Sequence, residues 1–330
     1  YKNALDCKML IDPLSPDLET INIALAEIFL NDLKKPMTAL QHFQAVIDIR
    51  AKLNKEEDLN AANIYIQIGY CYSELAKLKE AIMYFEKVLP LKTKLLGENH
   101  KDIGVATLDL GLLYLRAKQP LIAYKHIKKG LEIYKANSLS DDPLIMKNLI
   151  ILGDACMGMR NGKEAIEHYS TALALHIQVY GKIHPNTAMV YQLLGNAEMT
   201  QPSLWPMAVE NFKECLNIRL RIFGENHSET SKAYIGLSES QVRCGNLEDA
   251  ALSKLKAIEI QEKLQGKDNI SLYGLLEHLG NLYGKLGKHK ESLEVYRRMQ
   301  NIQLKANRNI SQECSFTTYG IGFIHSQFED

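Results

Sequence analysis

Apolar positions along this chain fall in pairs of helical stripes. Tyr65, Ile68, Gly69 and Tyr72 stand at i, i+3, i+4 and i+7, one face of a helix, and Ala81, Phe85 and Val88 form a second stripe soon after. Turn signals separate such stripes: Pro36, Gln119-Pro120, Asn161-Gly162, Gly245-Asn246 and Gly287-Lys288. The pattern predicts antiparallel pairs of helices, A and B, and it repeats. Small residues recur at Gly69, Gly111, Gly153, Gly195, Ser238, Gly280 and Gly322, with spacings of 42, 42, 42, 43, 42 and 42. Each of the first six is followed by Ala81, Ala123, Ala165, Ala208, Ala250 or Ser292, twelve residues on except for one extra residue before Ala208.

Small residues at these two positions let helix A and helix B approach to about 8–10 Å. An aromatic four residues after the Ala (Phe43, Phe85, Tyr169, Phe212, Tyr296) is expected to fill the gap toward the next pair. One pair cannot bury its apolar face alone, so the pairs stack. Between pairs lie Leu96-Gly97-Glu98-Asn99-His100, Tyr180-Gly181-Lys182-Ile183-His184-Pro185, Phe223-Gly224-Glu225-Asn226-His227 and the weaker copy Gly266-Lys267-Asp268-Asn269. Their glycines suit a left-handed stop to helix B, and Asp102, Asn186 and Ser228 are the capping candidates for the next helix A.

In domain terms this predicts a single repeat array over 1–330. Residues 1–11 read as the tail of a preceding helix B, about 17–306 as seven full repeats, and 314–328 as helix A of an eighth, incomplete repeat. The half-repeats and the missing initial Met point to a piece excised from a longer chain.

Gly in helix A with Tyr three later and Ala twelve later resembles the tetratricopeptide repeat. The 42-residue length and the Gly-x-x-His-Pro type of linker are similar to the variant found in kinesin light chains. The resemblance implies an all-α fold, a right-handed superhelical solenoid of antiparallel helix pairs, with helices A lining a concave, peptide-binding face. Carried onto this sequence, that face comprises Asn63, Gln67, Tyr70, Glu74, Asp109, Arg116, Lys147, Asp154, Asn196, Lys232, Glu239, Arg243, His278, Asn281 and Lys285, with apolar or small companions such as Leu193 and Gly236. Some positions depart from the repeat: Glu27 and Glu198 replace usual residues, and the sixth repeat carries Ser238, Gln241 and Lys254. Trp205, the only tryptophan, lies between two prolines in the inserted loop and is a candidate surface anchor.

Charge and composition narrow the partners. Lys plus Arg equals Asp plus Glu at 39 each, so no net field favours nucleic acid. No stretch approaches the 18 uncharged apolar residues of a membrane span, which excludes membrane insertion by a helix. The six cysteines are scattered without zinc spacing and read as reduced, mostly buried thiols of a cytoplasmic protein. Phosphate-binding, serine-hydrolase and zinc-protease motifs are absent, and Gly320-x-Gly322 is a fragment explained by helix packing. His100, His184 and His227 share one repeated loop position, too widely spaced for one metal, and read as capping or surface residues; His168 and His176 share a helix face without a completing ligand.

Neither cofactor nor metal nor catalysis is expected. The expectation is a scaffold or adaptor that binds short linear peptide segments of other proteins, in the cytoplasm with a cytoskeletal or ciliary association. The alternative is a regulatory or structural array within a larger enzyme or ciliary complex.

Overall fold

The computed structural model describes residues 16–137 and 142–305; the expected helices over 1–11 and 314–328 lie outside them. The described residues are helical with short connections and no strand. In chain order the helices are α1 (Pro16–Glu27), α2 (Pro36–Lys52), α3 (Leu59–Glu74), α4 (Leu78–Leu96), α5 (Lys101–Arg116), α6 (Pro120–Ala136) and α7 (Pro143–Gly158). They continue as α8 (Gly162–Tyr180), α9 (Pro185–Glu198), α10 (Trp205–Phe223), α11 (Ser228–Arg243), α12 (Leu247–Gln265), α13 (Tyr273–Lys285) and α14 (His289–Lys305). The chain divides into two compact units, one ending at Asn161 with α7 and one beginning at Gly162 with α8. Within each unit consecutive helices pack against one another, as a stack of A–B pairs requires.

The anchors behave as close-approach positions. A methyl group built on Gly69 would stand 2.7 Å from the Phe85 ring, and one on Gly280 would stand 3.0 Å from Tyr296. The aromatic of helix B therefore lies against the anchor of its own pair. Phe212 does this and also reaches the next pair: it contacts the space of Gly195 on one side, at 2.9 Å, and of Gly236 on the other, at 2.3 Å. Gly236 is thus a buried packing position; the expectation that it lines the groove is corrected, because the Phe212 ring fills the place its side chain would occupy. In the α5–α6 pair a further contact joins backbone to backbone, with Gly104 and Gly130 facing each other.

Serine at an anchor keeps the close approach and adds a hydrogen bond. Ser238 Oγ on α11 donates to the Ala250 carbonyl of α12, 2.7 Å, and Ser292 Oγ on α14 donates to the Gly280 carbonyl of α13, 2.8 Å. The hydroxyl sits on opposite helices in the two pairs and satisfies itself on the facing backbone, as a buried polar group must.

Turns and caps follow the same register. The residue closing the A–B turn has positive φ at Lys34, Ala76, Lys118, Arg160, Gly245 and Gly287, with φ between 50° and 81°. The next amide bonds back into helix A: Lys77 N donates to the Tyr72 carbonyl and Gln119 N to that of Tyr114, both 2.9 Å. In α9–α10 a 3-10 turn, Pro202–Leu204, replaces this closure.

At the B–A linkers Gly97 and Gly224 have φ of 85° and 79° with extended ψ, a conformation that in practice only glycine adopts. The caps themselves are the histidines. Nδ1 of His100, His184 and His227 accepts from the amides of Asp102, Asn186 and Glu229 at 3.1–3.2 Å. Asp102 and Asn186 are therefore amide donors to the caps, and the expected assignment of the capping role to them and to Ser228 is corrected. The His184 ring stacks on Tyr180 and the His227 ring on Phe223, with centroids 4.6 and 4.5 Å apart. Thr187 and Thr230 donate to the carbonyls of Gly181 and Gly224, which closes each loop.

One helix-B position carries a buried polar side chain that ties helix B to the next helix A. Arg50 pairs with Glu19 and with Asp58, the N-cap of α3. At the same position Lys92 lies 3.8 Å from Asp102, the Tyr134 hydroxyl donates to Asp142 at 2.8 Å, and Arg219 pairs with Glu229 at 2.9 Å. Glu19 lies on α1, the helix A of the same pair; Asp58, Asp102, Asp142 and Glu229 are carboxylates in the first turn or cap of the following helix, where negative charge is favoured.

Candidate groove on the A helices

Residues nominated for the inner face are solvent-accessible in both units. In the first, Asn63, Glu74, Arg116 and Lys147 are exposed, and Gln67, Tyr70, Asp109 and Asp154 are half-buried. The Tyr70 hydroxyl donates to Asp109 Oδ2 at 2.6 Å across α3 and α5. Burial pushes the Asp109 carboxyl above its ordinary range, opposed by that hydrogen bond and by the charge of Lys147. Arg116 is engaged sideways: its guanidinium donates to the side chain of Ser73 and, at 3.1 Å, to the Ser73 carbonyl.

In the second unit Asn196, Lys232, Glu239, Arg243, His278, Asn281 and Lys285 are all exposed. Lys232 is held 2.5 Å from Glu229, on its own helix. Five of the seven converge: Glu239 and Arg243 of α11, with His278, Asn281 and Lys285 of α13, line one groove of about 680 Å³. Met199, Val242 and Leu282 give it an apolar wall, so it offers both polar handles and apolar surface, as peptide and ligand clefts do.

Trp205 enters the same groove. It is the first residue of α10, half-buried, and its indole N–H donates to the Met199 carbonyl at 3.2 Å. The surface-anchor expectation changes accordingly: the ring does not protrude from a loop but forms part of the groove wall.

Sequence reasoning left Ser238 and Lys254 out of this site, though both line it. Lys254 occupies the helix-B position that holds Phe85, Phe212 and Tyr296 in other pairs. That substitution was visible as a departure from the repeat, and it is the signal that could have found the residue.

The remaining chemical candidates are committed to structure. His176 is buried with Nδ1 2.8 Å from the Ala172 carbonyl, and His168 lies 3.8 Å from Glu164. Cys71, Cys156 and Cys215 are buried and Cys244 is half-buried, all four outside any disulfide; Cys7 and Cys314 lie outside the described residues. Burial pushes the Cys71 and Cys215 thiols up to about 11, the opposite of what a nucleophile needs. Among the described residues no helix is long and apolar enough to cross a membrane.

Comparison with known proteins agrees with this architecture. Residues 17–94 and residues 273–304 each match a family model described as tetratricopeptide repeat. The Arabidopsis thaliana protein named kinesin light chain-related 3 is 26% identical over 164 residues, which is 48% of this chain. The chain spans a quarter of that relative's length. Among solved structures, the C-terminal part of a TPR repeat-containing protein from Cytophaga hutchinsonii superposes with a TM-score of 0.61 at 15% identity, covering 91% of this chain and 99% of that one. Kinesin light chain nearly identical TPR-like repeats from Podosopora anserina reach 0.57 at 18% identity, covering 62% of this chain and 97% of that one. The chain therefore carries tetratricopeptide repeats, and these resemble the repeats of kinesin light chains. Such a repeat fold is in general a protein-interaction scaffold.

Proposed function

We propose that this chain is a non-catalytic adaptor that holds extended peptide segments of partner proteins along its A helices, in the manner of a cargo-binding kinesin light chain repeat region. The observation that carries the reading is the groove of the second unit. Arg243, His278, Asn281 and Lys285 project from two A helices into one cleft beside the Trp205 ring, where an extended backbone can find donors and acceptors and its side chains an apolar wall. The likeness to kinesin light chain-related 3 supports it at the level of the repeat. A cytoplasmic, cytoskeleton-associated setting is part of the same proposal.

The test is selection of peptides from a displayed library on the purified chain, followed by titration of the best binder. Arg243→Glu with Lys285→Glu is expected to weaken binding more than tenfold, about 1.4 kcal/mol, with helicity unchanged. The pair Lys163→Glu and Lys213→Glu, exposed on the B helices α8 and α10, is expected to do little. Equal losses from both pairs would reduce the effect to general charge attraction, and no loss from either would remove the groove from the function.

A further inference from the structure

We propose that Lys254 is a site of reversible modification by carbon dioxide, its side-chain nitrogen taking up the gas as a carbamate that the cations of the surrounding wall stabilise. The inference needs no peptide partner and stands apart from the adaptor reading.

Lys254 lies on α12 at the position where other pairs bury an aromatic ring, and it is 1% exposed. Its stem fills core volume while the side chain ends at the groove. Nζ has no hydrogen-bond partner, and the carboxylate oxygen of Glu239 stands 3.9 Å away, beyond hydrogen-bond distance. The polar groups beneath are occupied with one another: Ser253 Oγ donates to Gln241 and Ser238 Oγ to the Ala250 carbonyl, 2.8 and 2.7 Å. An amine in that setting gives up its proton readily. Burial pulls Lys254 below the ordinary lysine range, with the charge of Glu239 opposing the shift. A desolvated lysine beside other cations is the arrangement in which the amine becomes a nucleophile at neutral pH.

The surroundings select the electrophile. Access to a nitrogen this enclosed is narrow, so the reagent must be small. The wall carries Arg243 and Lys285 against the carboxylate of Glu239, so a neutral amine at position 254 leaves an excess of positive charge. An aldehyde would give an imine, neutral or cationic, and the excess would remain. Carbon dioxide gives an anion that balances it. In the step, the Nζ lone pair forms a bond to the carbon of carbon dioxide, and one carbon–oxygen π pair moves onto oxygen. A proton leaves Nζ for the Glu239 carboxylate, which is exposed and passes it to solvent. The product is a carbamate with one negative charge over two oxygens, in the groove that the Arg243 guanidinium also lines, and a guanidinium offers such a group paired donors. The reverse step breaks the same bond and releases the gas.

The test is trapping of the carbamate. The purified chain would be equilibrated with sodium bicarbonate and carbon dioxide, treated with triethyloxonium ion to convert carbamate to its stable ethyl ester, and mapped by peptide mass spectrometry. The ester is expected on Lys254 at a level at least tenfold above exposed lysines such as Lys163. With carbon-13 bicarbonate, a carbamate carbon resonance should appear in the parent and vanish in Lys254→Met, which keeps the stem and removes the amine. Circular dichroism and urea melts check that this variant is folded. Arg243→Gln with Lys285→Gln, both at exposed positions, provides a second arm that leaves the core alone, and is expected to lower the trapped fraction at Lys254 severalfold. Glu239→Gln removes the opposing negative charge and is expected to raise that fraction at equilibrium. Absence of the ester from Lys254, or a level there no higher than on exposed lysines, overturns the proposal. A trapped fraction unmoved by loss of both cations overturns it as well.

Discussion

Gly130→Ala tests a contact between the backbones of two helices. In an isolated helix the exchange is favourable by about 1 kcal/mol, since alanine is the best helix former and glycine among the worst. In α6 the new methyl group would lie 2.9 Å from the Gly104 carbonyl oxygen and 2.9 Å from the Leu108 nitrogen, both backbone atoms of α5, and 2.9 Å from Leu108 Cγ. A flexible side chain could rotate away, but the backbone of α5 can yield only by moving the helix. Overpacking usually costs about 1–3 kcal/mol, and contact with backbone places this case at the upper end, so subtracting the propensity gain leaves a loss of roughly 2 kcal/mol. The control is Gly274→Ala in α13, whose methyl group meets nothing within 4 Å and should bring a gain of up to about 1 kcal/mol. Urea unfolding followed by circular dichroism compares the two, and hydrogen exchange at α5 and α6 amides shows whether the loss is local. A Gly130→Ala protein as stable as the parent, with unchanged protection in α5, would refute backbone-to-backbone packing.

Three further outcomes are expected. Ala76 holds φ of 57° in the turn between α3 and α4, so Ala76→Gly should raise stability by about 0.5–1 kcal/mol, read as a higher urea midpoint. Asp109 has its proton affinity raised by burial, so the folded chain binds that proton more tightly than the unfolded one, and its contribution to stability falls as pH rises from the unfolded carboxyl value near ~3.9 through the raised folded value. Asp109→Asn should therefore be more stable than the parent at pH 7, with the advantage shrinking toward pH 4 in parallel urea melts. Iodoacetamide at pH 8, followed by peptide mass mapping, should modify half-buried Cys244 before buried Cys71 and Cys215, which carry little thiolate there and should react only on addition of denaturant.

The helix-pair architecture was legible because close packing restricts the anchors to small residues, and a restricted position leaves the same mark every 42 residues. The tethers of Arg50, Lys92, Tyr134 and Arg219 keep the same register but leave no mark in the sequence, because the position demands only a long polar group, which arginine, lysine and tyrosine all supply. Lys34, Ala76, Lys118 and Arg160 carry no local sign of their positive φ; the flanking helices impose it. The histidine caps were half legible: their recurrence showed, but a sequence does not say that imidazole Nδ1, rather than a following Asp or Asn, receives the amide. Most of the nominated groove residues proved accessible because the A-helix register transfers well. Gly236 did not, since Phe212 is large enough to fill the space beside both Gly195, the anchor of its own pair, and Gly236 of the next.

The linkers have a consequence for where this chain can change length. In the four linkers that carry a glycine, three positions separate it from the residue that caps the next helical segment: Gly97 to His100, Gly181 to His184, Gly224 to His227, and Gly266 to Asn269, which caps the 3-10 turn leading into α13. An added residue there would lift His184 or His227 off its stacked ring and separate Thr187 or Thr230 from its carbonyl. The extra residue of the repeat pattern falls instead in the turn ahead of α10, where the Pro202–Leu204 segment absorbs it. At these linkers the step to the next pair is thereby fixed while the hairpin tip is free to vary, and a loop, tag or reporter inserted at the tip before α10 should leave the approach of α9 and α11 untouched.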